Sequence, residues 1–260
     1  MSKLRLYLNA TGNDADAYKR AVAAALIIAK DNSDIKKIVL LTPKKEIYDL
    51  LVGVFTPNQI KSATKGGFKF NPSEPLIKTE ALTTYRGGNN LSSEVVITCG
   101  LDSDEIFLVE GYSSVVAIVA VSWVPHQLEK WVKTWDPREL RNNPLPVTPY
   151  PQPSCITKYA LSDLNEFVAK DKSLRSHSNE SVTVTYLMTL HKYDSPIDSD
   201  TAGAYLTSQF AWKTDRVKEA QEIINQLNAG GSPKGGKPEQ MQKHYERWKK
   251  ECEAETATII

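Results

Sequence analysis

The sequence predicts an α/β protein: a Rossmann-like parallel sheet covered by helices on both faces, followed by a mostly α-helical C-terminal domain. Three observations carry that expectation. Unbroken apolar runs, residues 95–99 and 115–121 above all, have the composition of strands buried on both faces. Segments of helical periodicity alternate with these runs, as right-handed crossovers between parallel strands require. Finally, five prolines fall between Pro144 and Pro153, which forbids regular structure there. The reading is therefore an α/β domain over residues 1–143, a proline-rich linker over 144–154 and a helical domain over 155–260.

Each element follows from local chemistry. Leu4, Leu6 and Leu8 alternate with Arg5 and Tyr7 as a strand does, and a polar loop with Gly12 leads into a helix capped by Asp14 or Asn13. That helix is rich in alanine (Ala17, Ala21, Ala24, Ala25), which lets it lie close to a sheet. Residues 38–41 form a second buried strand. Thr42 and Pro43 then read as a cap and a first helical residue, with the helix running through Ile47 and Val54 until Pro57. From residue 58 to 90 the pattern is broken by paired glycines and Asn71-Pro72, leaving strand and irregular readings both open.

Residues 94–105 organise the first domain. The apolar half is a central strand, Gly100 permits the turn, and Asp102 with Glu105 three residues later has the form of a capping box. Another strand follows over residues 115–121, and Pro125 is expected to open a helix bearing Leu128, Trp131, Val132 and Trp135. Beyond the linker, helices are expected over residues 162–170, 180–192, 199–210, 215–228 with Thr214 as cap, and 238–253. Their stripes include Val217, Ala220, Ile224 and Leu227, then Met241, Tyr245, Trp248 and Cys252.

Composition narrows the function classes. Thirty-two basic side chains against 31 acidic ones leave no global field to draw nucleic acid or an acidic membrane, so such a partner needs a local patch. No apolar run is long enough to span a bilayer, and no membrane partner is expected. The three cysteines are too few and scattered for a disulfide framework or a CxxC metal site, so a reducing compartment and a cytoplasmic location are expected. Cys99, at the end of an apolar strand, reads as buried and inert.

In parallel α/β sheets ligands bind at the carboxyl ends of the strands, where helix N-termini offer free N–H groups. Asn9, Thr11, Gly12, Asn13, Thr42, Gly100, Asp102 and Ser103 fall at such ends and are the candidates for a nucleotide-like small molecule. The plainer reading, that every strand-to-helix loop needs glycine and a cap, is preferred because no GxGxxG or Walker sequence accompanies them. Asp102, Asp104 and His126 are the catalytic candidates for an enzyme acting on a nucleotide or phosphoester. Acidic residues at a helix start are favoured by the helix dipole alone, so no metal is assigned, and no motif identifies a cofactor.

The C-terminal domain carries the strongest local charge signal. Between Lys234 and Lys250 there are six Lys or Arg against two Glu, behind a Gly-rich loop. Helices followed by such a loop resemble in outline a helix-turn-helix unit with a flexible wing, which implies nucleic-acid contacts through Lys234, Lys237, Lys243, Arg247 and Lys250. A solvated turn between packed helices is the competing reading and is preferred on the modest basic bias. The chain thus reads as a two-domain binding module, with nucleotide-like ligand or partner on the first domain and nucleic acid or protein on the second. The alternatives are the enzyme above and a subunit of a larger assembly, with tryptophan-bearing helices as protein contacts.

Overall fold

A computed structural model describes residues 3–12, 14–44, 51–88, 92–194 and 196–259. These divide into two compact units, Met1–Pro149 and Tyr150–Ile260.

The first unit is a six-stranded, all-parallel sheet: β1 (Leu4–Leu8), β2 (Ile35–Thr42), β3 (Leu76–Ala81), β4 (Ser93–Cys99), β5 (Val115–Val121) and β6 (Arg138–Glu139), in the order β3-β2-β4-β5-β1-β6. The four apolar strands read from the sequence form its contiguous centre, β2-β4-β5-β1, all running one way. The order is not that of the common dinucleotide-binding sheet. β1 and β2 lie three places apart, and helix α1 (Ala15–Asp31) spans the interval, touching β5, β4 and β2. Its alanines are what permit this. Ala17, Ala21 and Ala25 are fully buried against a sheet face built from Leu8, Ile38, Leu40, Val95, Ile97 and Val119.

The alternation of strand side chains sends Tyr7, Val39, Val96, Ile118 and Ala120 to the other face. There they meet Ile106 and Val109 of α3 (Ser103–Glu110) and Trp131 and Val132 of α4 (Glu129–Trp135). Both faces are therefore covered, which is why the central strands are largely apolar. A buried polar cluster closes this second face near the amino end of β4. Glu94 accepts from the Tyr85 hydroxyl (2.5 Å), Gly88 N (2.7 Å) and Ser114 Oγ (3.1 Å), and pairs with Lys37 (2.5 Å). Burial pushes the Glu94 carboxyl up, but the Lys37 and Tyr85 contacts outweigh it and leave it below its ordinary value.

Several boundaries differ from the sequence reading, each for a local reason. Thr42 is not a helix cap but the last residue of β2, its hydroxyl donating to Lys44 O (2.5 Å). The helix expected through Ile47 lies mostly outside the described residues, and Val52 and Val54 are not helical. Pro57 opens a helix instead of ending one. It is the first residue of α2 (Pro57–Lys65), with Thr56 and Gln59 forming a capping box. Pro125 opens only a turn, because His126 takes a left-handed φ of 67° and delays α4 to Glu129. β6 was not expected, its two residues being too short for a periodic signal.

The second unit is five helices: α5 (Cys155–Phe167), α6 (His177–Tyr193), α7 (Ser199–Phe210), α8 (Thr214–Asn228) and α9 (Pro238–Ile259). α5 begins well before residue 162, because Ser154 ends the proline run and accepts from Thr157 N (3.0 Å) as a cap. Thr214 is helical, and the cap position is Lys213, whose side chain makes no capping bond. The core joins Leu161 and Leu164 of α5, Leu187 and Leu190 of α6, Leu206 of α7, Ile223 and Ile224 of α8 and Trp248 of α9. Contrary to the expectation from cysteine number, Cys155 and Cys252 form a disulfide between α5 and α9. The two residues are 97 positions apart, which hid a pair that short-range spacing rules cannot find. Among the described residues no helix is long and apolar enough to cross a membrane.

Candidate functional site

The chain leaves β5 toward one face of the sheet and β1 toward the other, so a crevice opens between their carboxyl ends, where α/β proteins ordinarily bind ligands. Here the protein's own groups fill it. Ser122 Oγ donates to Ala10 O (2.7 Å) and accepts from Ala10 N (2.9 Å), and Gly12 N donates to Trp123 O (2.8 Å). The Trp123 ring lies directly on Gly100, where a Cβ would stand 2.0 Å from it, and its indole N–H donates to the Tyr18 hydroxyl of α1. Gln127 ties the same loops together, donating to Gly100 O (2.6 Å) and accepting from Trp123 N (2.7 Å). Gly100, with φ of 68°, therefore serves the approach of an indole.

Asn9, Asp102 and Ser103 at this rim are engaged in the same way. Asn9 O accepts from Arg141 Nη2 (2.6 Å), whose Nη1 pairs with Asp14 (2.5 Å). Burial raises the Asp14 carboxyl, but Ala17 N and Arg141 outweigh it and hold it below its ordinary value. Thr11 and Gly12 are exposed, and Asn13 lies outside the described residues. Asp102 accepts from Glu105 N (2.8 Å) and Glu105 returns the bond to Asp102 N (2.9 Å), the reciprocal capping box. Ser103 Oγ donates to Gln127 O (3.0 Å) and accepts from Trp131 N (3.1 Å).

The catalytic candidates are held by different partners: Asp104 by Lys130 (3.0 Å), Asp102 by its own helix, and exposed His126 by Glu129. Cys99 is buried, and desolvation pushes its thiol up, so it is not a ready nucleophile. Among the described residues no group of three or more His, Cys, Asp or Glu is placed to hold a metal ion.

In the helical unit the predicted cations lie on the surface. Lys243, Arg247 and Lys250 recur at helical spacing on one exposed face of α9, and exposed Lys234 and Lys237 precede it. Arg247 pairs with Asp163, which also accepts from the Trp248 indole (2.6 Å). The Gly-rich loop is seated on α6: Lys237 N donates to Thr185 Oγ1 (2.9 Å), and a Cβ on Gly236 would meet Met188 Sδ at 2.6 Å.

A second feature of this unit was not singled out in the sequence. Arg216, 8% exposed, lines a cleft of about 320 Å³ together with Lys170, Lys172, Trp212, Lys213 and Glu219. Its Cζ sits 4.2 Å from the Trp212 ring centroid and its Nη1 donates to Lys170 O (3.2 Å), yet Nε and Nη2 are buried without a hydrogen-bond partner. Desolvation lowers its affinity for its proton, and Glu219, Asp215 and Asp171 work against that. The legible signal was its place on the helical stripe. Arg216, Ala220, Ile223 and Leu227 are the buried positions at offsets of four, three and four, so a charge stands where an apolar residue belongs.

Compared with known families, residues 153–249 match a domain of unknown function, DUF1889. The match covers Arg216 and all five exposed cations except Lys250. No curated protein and no solved structure matches the chain.

Proposed function

We propose that the protein is a two-unit binding module whose helical unit contacts nucleic acid through the basic edge of α9, the α/β unit recognising a nucleotide-like ligand or a partner at the exposed Thr11-Gly12 loop, outside the crevice that its own side chains fill. The observation carrying this reading is the exposed set Lys234, Lys237, Lys243, Arg247 and Lys250, three of them on one helical face. Long basic side chains there reach phosphates without prior desolvation, and phosphate contacts supply sequence-independent affinity. Glu239, Glu246, Glu251, Glu253 and Glu255 on the same helix moderate the field, so binding is expected to be weak and strongly dependent on salt.

The test is a titration of labelled duplex at several salt concentrations. Four phosphate contacts, Arg247 being paired with Asp163, predict a slope of about −3.6 in log affinity against log salt, and each of Lys243→Ala and Lys250→Ala should reduce its magnitude by about one. Absence of binding at 50 mM salt, or an affinity indifferent to salt, would remove the nucleic-acid reading.

A further inference from the structure

We propose that the cleft beside α8 is a carboxylate-binding site, with the Arg216 guanidinium as its recognition element. The proposal does not depend on nucleic-acid binding by α9.

Three observations converge. First, Arg216 is more than nine-tenths buried while Nε and Nη2 find no hydrogen-bond partner among the described residues. Two unpaired N–H groups of a buried cation cost free energy that packing alone has no reason to retain. Second, the guanidinium is held in place. Trp212 lies against its face, Nη1 is anchored on Lys170 O, and Trp212 is itself fixed through its indole N–H on Asn165 Oδ1 (2.9 Å). The side edge left over, Nε with Nη2, is the fork that matches two oxygens of one oxyanion. Third, that edge belongs to a residue lining a cleft large enough for a small ligand group, in the first turn of a 15-residue helix.

The surroundings select the kind of oxyanion. Lys170, Lys172 and Lys213 line the cleft, but so do Asp171, Asp215 and Glu219. Asp215 accepts from Arg216 N (2.9 Å) and Glu219 from Leu174 N (2.6 Å), and neither is hydrogen-bonded to the free fork. Their charges nevertheless remain close. The three carboxylates largely offset the three lysines, so the lining offers little excess charge for a dianion, whereas a planar carboxylate needs only the two N–H groups on offer. Phe210 and Trp212 supply apolar lining for the rest of such a ligand.

The experiment uses the full-length, disulfide-bonded chain labelled with ¹⁵N. The Trp212 indole N–H resonance is followed while sodium acetate, and separately inorganic phosphate, is added at constant ionic strength. The expected result is a saturable shift with acetate at lower concentration than with phosphate. It should be lost in Arg216→Lys, which keeps the charge and removes the fork. Glu219→Gln retains an acceptor for Leu174 N and removes a nearby negative charge, so it should tighten acetate binding by about threefold. This second variant keeps the test decisive should Arg216→Lys fail to fold. A shift that never saturates, an unchanged response in folded Arg216→Lys, or no gain in Glu219→Gln would overturn the site. Tighter binding of phosphate than of acetate would overturn the assignment to a carboxylate.

Discussion

The rim of the parallel sheet and the cleft beside α8 are opposites. The rim has the position that α/β proteins use for ligands, yet Ser122, Trp123, Gln127 and Arg141 answer its loop amides and carbonyls from within the protein. The cleft has no privileged place in a fold, yet Arg216 keeps two buried N–H groups unanswered. A place in the topology indicates where a ligand would fit if the loops left room. An unsatisfied buried group indicates that something is missing, and it is the more discriminating sign.

The largest expected effect tests how differently the two units are held. The helical unit tolerates an unpaired buried cation while linked by Cys155–Cys252, whose 97-residue separation corresponds to about 4–5 kcal/mol of loop-closure stabilisation. Cys155→Ser should lower protection from hydrogen exchange throughout α5 to α9 by that order, leaving the sheet unchanged. A loss in the sheet as well would mean that the two units do not unfold independently.

Next comes the seal of the rim. Gly100→Ala places a Cβ inside the Trp123 ring at a left-handed backbone position, and should destabilise the α/β unit by roughly 3 kcal/mol in urea unfolding. A loss near zero would show the indole to be free to swing away, reopening the rim as a ligand site.

Two carboxylates make the same unit acid-sensitive. Glu94 and Asp14 have ordinary values of 4.5 and 3.8, and both are lowered in the folded protein. The unfolded chain therefore binds their protons more readily. Their stabilisation is complete above those ordinary values and is lost as pH falls through the lower folded ones. Exchange protection of β1, β2 and β4 should decline over that range, and Glu94→Gln should flatten the decline at some cost in stability at neutral pH. The smallest effect belongs to the surface: Lys250→Ala should change stability by less than about 0.5 kcal/mol, so a loss of duplex binding in that variant reports contact and not unfolding.

Much of this contrast was readable in the sequence, and what was not had physical causes. The central strands were legible because burial on both faces leaves few polar positions to obscure them. The Asp102–Glu105 capping box was legible because both halves of it are local. The Thr56-Pro57 start of α2 carried the same signature and was overlooked because Pro57 also serves as a stop signal. β6 and the Cys155–Cys252 link depend on partners far away in the chain. At the rim, sequence placed Gly100 and the Asp14 and Asp102 caps correctly but not Thr42 or Trp123, since which side chain covers a loop is decided by tertiary packing. Arg216 stood in plain view on an apolar stripe, and only the lack of a hydrogen-bond partner at its Nε and Nη2 distinguishes it from a satisfied arginine.

The most direct measurement is the change in unfolding free energy of the helical unit on Arg216→Leu, without any added ligand. An arginine kept for binding, with its fork unpaired, predicts that the variant is as stable as the parent or more stable by about 1–2 kcal/mol, since leucine removes two unsatisfied buried donors and fits the stripe. A loss of 2 kcal/mol or more would mean that the guanidinium is already a satisfied structural element, and the contrast between the occupied rim and the waiting cleft would fail.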